Sequence, residues 1–513
     1  MARSVASLVL VLAPLAGCFL LVEFEDKPGA SAGGGSSSSD ASSTSNGTSA
    51  ASGGGGGTGG GVPTCPSPGA VAGILTGPSV ELRALASDGE KAWIAGVWDG
   101  GGSMAYRAMP GGGCAGEIAL TGEAASSFVA QIDLSTLELD WWAHVASRAP
   151  ASADIDVAVA GQTLYVAANI AAGSELLGVA QTSAGFGWAA VDRSRIQVDA
   201  DGQATLPGAP TVCTGGDAAE VDIGAHTGGA VIVASALETS TLACEAPCGT
   251  TSPNSDHDAF LFHVGANGAC AGGPHPIAPG HDEDGLDIVA FSPSAYLYGW
   301  RTADERKGRW GPLASSAVNT PPVFSPSSDD EFSQTIGDAA VGLSSVRVAG
   351  TEAYSVAATS LWQASHHRIE VWESVSGAPF EVASTTPADR DVYLGAASFD
   401  PSGALFLGGA VDERIPLSDV FTAALEPDEA IPGCQSLGPA RACGDAYWVE
   451  IDPALMTASA GERWSRAGHQ EVQRLAAFPS AVVVAGRFAD GLIVGTTEAI
   501  GSGQGVFVAS RPR

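Results

Sequence analysis

Short apolar runs that end in Ala-Gly or a similar small pair recur from about Val80 to the end of the chain. Each is followed by a second run that alternates apolar with small or polar residues. The clearest pair is AVVVAGRF (Ala481 to Phe488) with GVFVASRP (Gly505 to Pro512). The first run recurs as AWIAGVW (Ala92 to Trp98), LYVAAN (Leu164 to Asn169), VIVASA (Val231 to Ala236), YLYGW (Tyr296 to Trp300), YSVAAT (Tyr354 to Thr359) and LFLGGA (Leu405 to Ala410), giving seven copies. The second recurs as SFVAQID (Ser127 to Asp133), GWAAVDR (Gly187 to Arg193), AFLFHVG (Ala259 to Gly265), RIEVWES (Arg368 to Ser374) and YWVEID (Tyr447 to Asp452), with no clear partner in the fourth copy. Branched and small apolar residues running into Ala-Gly predict a short buried strand that ends where another backbone comes close.

Another apolar run precedes each first strand, as in LRALAS (Leu82 to Ser87), VDIGAH (Val221 to His226), LDIVAF (Leu286 to Phe291) and VQRLAAF (Val472 to Phe478). Turn residues such as Asp88-Gly89 and Pro401-Ser402-Gly403 separate the two, a hairpin signature. Several second strands lead on to tryptophan, at Trp141, Trp142 and Trp464. One unit therefore predicts three or four antiparallel strands. The residues closing successive first strands lie between 51 (Ala357 to Gly408) and 78 (Gly408 to Gly486) positions apart. Four-stranded repeats of that length predict an all-β fold, a β-propeller of seven blades with six and eight as the neighbouring counts. The last copy lacks a fourth strand, whereas GAVAGIL (Gly69 to Leu75) lacks a hairpin partner. The early segment is therefore expected to complete the last blade and remove an unpaired edge.

The combination of hairpin, LYVAG-like strand, DAFVAxLD-like strand and tryptophan resembles the propeller-type, SBBP-like repeats of bacterial cell-surface lipoproteins of myxobacteria and their relatives. The likeness runs from Val80 to Arg513 and is clearest at Ser127 to Asp133, Asp258 to Val264 and Gly505 to Ser510. It implies the propeller fold and a surface location, and says little about activity.

Met1 to Gly17 holds Arg3 and the apolar run SLVLVLAPLAG, too short to span a bilayer permanently, and then reaches Cys18. Leu15-Ala16-Gly17-Cys18 resembles a bacterial lipobox, so residues 1–17 are expected to be a signal peptide and Cys18 the acylated residue. Acyl chains would then anchor the chain, at roughly 0.8 kcal/mol per buried methylene. Phe19 rather than Asp follows the cysteine, which suggests an exported protein held at the outer membrane, on its periplasmic face or the cell surface. Residues 18–64 are mostly Gly, Ser, Ala and Thr, a low-complexity tether with nothing to bury. A coil of about 37 residues spans roughly 30 to 35 Å. Residues 65–513 are expected to form one propeller domain, because each blade buries its faces against its neighbours.

Eight further cysteines are candidate disulfide partners: Cys65, Cys114, Cys213, Cys244, Cys248, Cys270, Cys434 and Cys443. An even number in an exported chain favours bridges, and no zinc-ligand spacing is present. Cys434 with Cys443 and Cys65 with Cys114 are plausible local pairs, and the other four flank the third unit. Net charge is −33, with lysine only at Lys27, Lys91 and Lys307, which argues against nucleic acid as a partner.

The densest acidic cluster, His281 to Asp287, is read as a loop whose Asp282, Asp284 and Asp287 could hold calcium, the one cofactor the sequence offers. Asp199-Ala200-Asp201-Gly202 lacks the later ligands of a calcium loop. Asp256, His257, Asp258 and His263 could form a metal or general-base site, but Asp258 falls where the resembled repeats carry their ordinary strand-entry Asp, and adjacent His366 and His367 would face opposite ways. Trp93, Trp98, Trp300, Trp310, Trp362 and Trp372 could stack on sugars or pack blades. No nucleophile elbow, phosphate loop, HExxH or haem motif occurs. The expected function is an envelope lipoprotein displaying a non-catalytic binding or scaffolding platform for a protein or glycan ligand. The alternative is a propeller hydrolase or lyase acting on polysaccharide with paired carboxylates in its central channel.

Overall fold

The runs of small and branched apolar residues form strands, and they are buried on both faces because sheets stack on either side of them. Ala481–Ala489 and Lys91–Trp98, for example, are buried along almost their whole length. The computed structural model describes residues 72–513 with breaks between strands, the longest at 312–341 and 422–443. Between residues 281 and 391 it describes the main chain alone. The described residues are nearly all strand, apart from one helical turn at Leu417–Val420 and a 3-10 turn at Arg193–Arg195.

Seven larger antiparallel sheets follow one another along the chain. Sheet 1 contains Val80–Ser87, Lys91–Trp98, Ser126–Asp133 and Leu139–Ala146. Sheet 2 contains Ile155–Ala160, Thr163–Ile170, Gly185–Asp192 and Thr211–Thr214. Sheet 3 contains Asp217–His226, Gly229–Leu237, His257–Gly265 and Cys270–Pro276. Sheet 4 has three described strands, Glu283–Ser292, Ala295–Thr302 and Lys307–Gly311, the last supplying the partner that the sequence of the fourth copy did not reveal. Sheet 5 contains Gly342–Ala349, Glu352–Gln363, His366–Glu373 and Pro379–Thr385, and sheet 6 contains Val392–Phe399, Leu405–Asp412, Gly444–Asp452 and Thr457–Trp464. Sheet 7 contains Gln470–Ala477, Ala481–Ala489 and Gln504–Pro512, and its fourth strand is Ala72–Thr76. Gly73 lies opposite Val508 and Leu75 opposite Val506, so the two ends of the described chain share one sheet.

The first strand of each sheet packs against the first strand of the next, from sheet 1 to sheet 7, and that of sheet 7 packs against that of sheet 1. Among the described side chains, apolar layers fill the spaces between sheets 6 and 7, 7 and 1, 1 and 2, and 2 and 3. Ile94, Trp98 and Phe128 meet Leu75, Val483 and Val506 between sheets 1 and 7. Trp93 and Val129 meet Leu164 and Val166 between sheets 1 and 2. Trp188 and Phe186 meet Phe262 and Ile232 between sheets 2 and 3, and Phe406 and Trp448 meet Val472 and Val484 between sheets 6 and 7. Each fully buried large side chain contributes roughly 1.5 to 3 kcal/mol.

Two recurrent devices shape these sheets. In six of the seven, the first strand slips register beside the small residue that closes the second: at Gly96, Ala234, Gly299, Ala357, Gly408 and Gly486. Such bulges bend the strand and bring its backbone close. A Cβ on Gly486 would run into the carbonyl oxygen of Glu471, and one on Gly96 into that of Glu81.

The second device is an exchange of hairpins. The segment between the second and third strands of one sheet is laid on the outer edge of the preceding sheet. Gly102–Met109 and Ile118–Gly122 extend sheet 7 beyond Ala72–Thr76. Glu175–Leu176 and Val179–Ala180 extend sheet 1, and Leu242–Cys244 and Gly249–Thr251 extend sheet 2. The helical turn Leu417–Val420 touches the outer strand of sheet 5, and Leu492–Val494 touches that of sheet 6. Among the described residues, the insertions of sheets 1, 2, 3, 6 and 7 therefore join neighbouring sheets.

Candidate functional site

Where the first strands meet, sheet 2 contributes an acidic pair. Asp154 and Asp156 alternate with buried Ile155 and Val157, which places both carboxylates on one side of the strand. Each reaches the free amide edge of the first strand of sheet 3. The N–H of Val221 donates to Asp154 Oδ2 at 2.9 Å, and the N–H of Ile223 donates to Asp156 Oδ2 at 2.7 Å. Asp156 Oδ1 also accepts the N–H of Val157 at 2.7 Å. The i, i+2 spacing of the carboxylates matches the alternate amides that an edge strand leaves unpaired.

Burial pushes both carboxyls upward, Asp156 to about 7, with repulsion between the pair adding to that of Asp156. Accepted amides and the charges of Arg83 and Arg474 oppose the rise. Arg83 is held at 2.7 Å by Glu81, and Arg474 is exposed on the first strand of sheet 7. A carboxyl near neutrality can exchange a proton under physiological conditions. Here, however, each carboxylate already spends an oxygen on the backbone of the next sheet.

A second titratable group lies on sheet 3. The register places His226, His263 and His275 on one face, with the His263 and His275 rings 5.9 Å apart. His263 is held down to about 4, first by burial and then by the two neighbouring imidazoles. Among the described residues, no cluster of His, Cys, Asp or Glu is arranged to hold a metal.

Four of the candidate cysteines are joined, Cys213 to Cys244 and Cys248 to Cys270. Both bridges run through the exchanged hairpin of sheet 3, tying it to sheet 2 on one side and to sheet 3 on the other. Cys18, Cys65, Cys114, Cys434 and Cys443 lie outside the described residues, as does Asp282. The loop expected around Asp284 and Asp287 is corrected: both belong to the first strand of sheet 4, opposite Arg301 and Gly299. Pairing with Ala295–Thr302 overrides the weak strand preference of acidic residues. The Asp199 turn uses its own carboxylate, which accepts the N–H groups of Asp201 and Gln203 at 2.9 Å. Trp93 and Trp98 are fully buried in the layers between sheets, so neither offers a face to a sugar.

No protein-family model and no curated protein sequence matches the chain. Among solved structures it is similar to a mutant of the GH43 protein BlXynB from Bacillus licheniformis, at 8% identity and a TM-score of 0.15, over 87% of this chain and 99% of that one.

Proposed function

We propose that this chain is an exported lipoprotein, acylated at Cys18 and tethered through residues 18–64, whose remaining part is a seven-bladed β-propeller acting as a non-catalytic binding or scaffolding platform at the bacterial outer membrane. The cyclic succession of first-strand contacts and the sheet shared by both ends support the propeller. Two disulfides support export. The observation that carries the non-catalytic reading is the engagement of Asp154 and Asp156 with the amides of Val221 and Ile223: the acidic pair at the meeting of the first strands is tied into the architecture.

The test is incubation of the purified full chain with envelope polysaccharides, followed in parallel by reducing-end or unsaturated-product assays and by co-sedimentation. Capture without product supports the platform. Product formation that is lost in Asp156→Asn would overturn it and establish the second reading, a polysaccharide hydrolase or lyase, which the raised Asp156 carboxyl favours. The anchor is tested separately by palmitate labelling and fractionation: Cys18→Ser should lose label and leave the membrane fraction.

A further inference from the structure

Two hairpins from the second unit lie over the outer edge of sheet 1 and leave a space between them. Glu175–Leu176 joins that edge through Leu176 opposite Ala146, and the N–H of Leu177 donates to Val145 O at 2.8 Å. Further along, the hairpin Gln197–Val198 and Ala204–Thr205 reaches the same strand, where the N–H of Trp142 donates to Gly202 O at 3.1 Å. The level of His144 lies between these contacts. There the structure holds a cavity of about 470 Å³, within the range of small-molecule sites.

Its wall has a definite chemistry. Ser126, His144 and Ser147 come from sheet 1, Glu175 from one hairpin, Gln203 from the other, and Leu206 gives an apolar side. The His144 ring is fixed against Trp98 at 5.3 Å and Trp142 at 5.0 Å. Ser147 Oγ accepts the N–H of Glu175 at 2.9 Å, which holds the hairpin in place. Carboxylate, carboxamide and hydroxyl groups on an otherwise partly apolar wall suit adjacent hydroxyls on a ring with C–H faces. No lysine or arginine lines the cavity among the described residues, so an anionic ligand would meet Glu175 without a countercharge.

We propose that this cavity binds one uncharged pyranose unit of a glycan. The proposal rests on the platform reading, since it assigns sugar recognition to a place whose lining does not include the acidic pair and asks no bond to break. The test is titration of the full chain with glucose, galactose, N-acetylglucosamine and glucose 6-phosphate, followed by saturation-transfer NMR and calorimetry. It is repeated on Glu175→Ala, on Thr205→Trp at the exposed rim, and on Asp156→Asn. At least one neutral sugar should bind saturably, and glucose 6-phosphate should bind more weakly. Glu175→Ala should lose about tenfold or more in affinity, as expected for a hydrogen bond to a charged acceptor. Thr205→Trp should abolish binding and Asp156→Asn should keep it. Absence of binding by all three neutral sugars, or preference for the phosphorylated one, overturns the proposal. Equal binding by the wild type and both cavity variants also overturns it but leaves the platform intact, whereas cleavage of an oligomer of the bound sugar would overturn the platform and leave the cavity assignment standing.

Discussion

The Asp156 carboxylate accepts the main-chain N–H of Ile223 at 2.7 Å, across the boundary between sheets 2 and 3. A buried amide left without its acceptor costs roughly 1 to 3 kcal/mol. Asp156→Ala should therefore destabilise the protein by about that amount, while Asp156→Asn, which keeps an acceptor oxygen, should cost less. Equilibrium denaturation of the two variants against the wild type measures the difference. Equal losses would show that charge rather than the acceptor matters.

The same group sets a pH dependence. In the folded protein its pKa is raised from 3.8 to about 7, so the native state holds the proton more tightly than the unfolded chain. Its contribution to stability is fully present below pH 3.8 and is lost as pH rises through about 7. His263 acts in the opposite direction. Its pKa falls from 6.5 to about 4, so its contribution is present above pH 6.5 and is lost as pH falls through about 4. Between these limits the two slopes oppose each other. Melting curves from pH 4 to 7 should rise with pH in Asp156→Asn and fall with pH in His263→Leu, relative to a flatter wild-type profile.

Gly486 admits no side chain, because the carbonyl of Glu471 occupies the place of a Cβ. Gly486→Ala should cost at least about 1 to 3 kcal/mol through backbone displacement. Gly161→Ala is the control: it has a positive φ of 56° and nothing within 4 Å, so it should cost only the roughly 1 to 2 kcal/mol of the left-handed backbone. Denaturant midpoints for the two variants decide whether the bulge or the mere loss of glycine governs.

The two disulfides hold one exchanged hairpin from both sides. Their sequence separations of 31 and 22 residues predict that replacing either pair with alanine costs about 2 to 4 kcal/mol. Hydrogen exchange after mild reduction should show Leu242–Cys244 and Gly249–Thr251 losing protection before the strands of sheet 3. Uniform loss across the sheet would mean that the hairpin is not a separate unit.

Much of this architecture was legible in the sequence for a physical reason. Strands buried on both faces must be apolar almost throughout, and hairpin turns need residues such as Asp88-Gly89, so the repeating pairs stand out. The missing partner at the end also pointed to the segment that became Ala72–Thr76. The exchange of hairpins was not legible, because pieces such as Glu175–Leu176 are too short to carry a period. Asp154 and Asp156 read as ordinary polar positions on an alternating strand. Only the neighbouring edge at Val221 and Ile223 shows what they hold. His226, His263 and His275 are distant in sequence and converge only through strand register. The run from Glu283 to Asp287 looked like a turn because its composition is acidic, yet it continues the strand of LDIVAF.

The pairing of Ala72–Thr76 with Gln504–Pro512 has a consequence for biosynthesis. Ala72–Thr76 emerges from the ribosome long before Gln504–Pro512. Until then the edge that faces Gln504–Pro512 has no native mate, and closing so long a loop is among the slowest contacts a chain can make. Translation order thus makes Gln504–Pro512 the latch, and a chain halted before Gln504 would leave that edge of Ala72–Thr76 open.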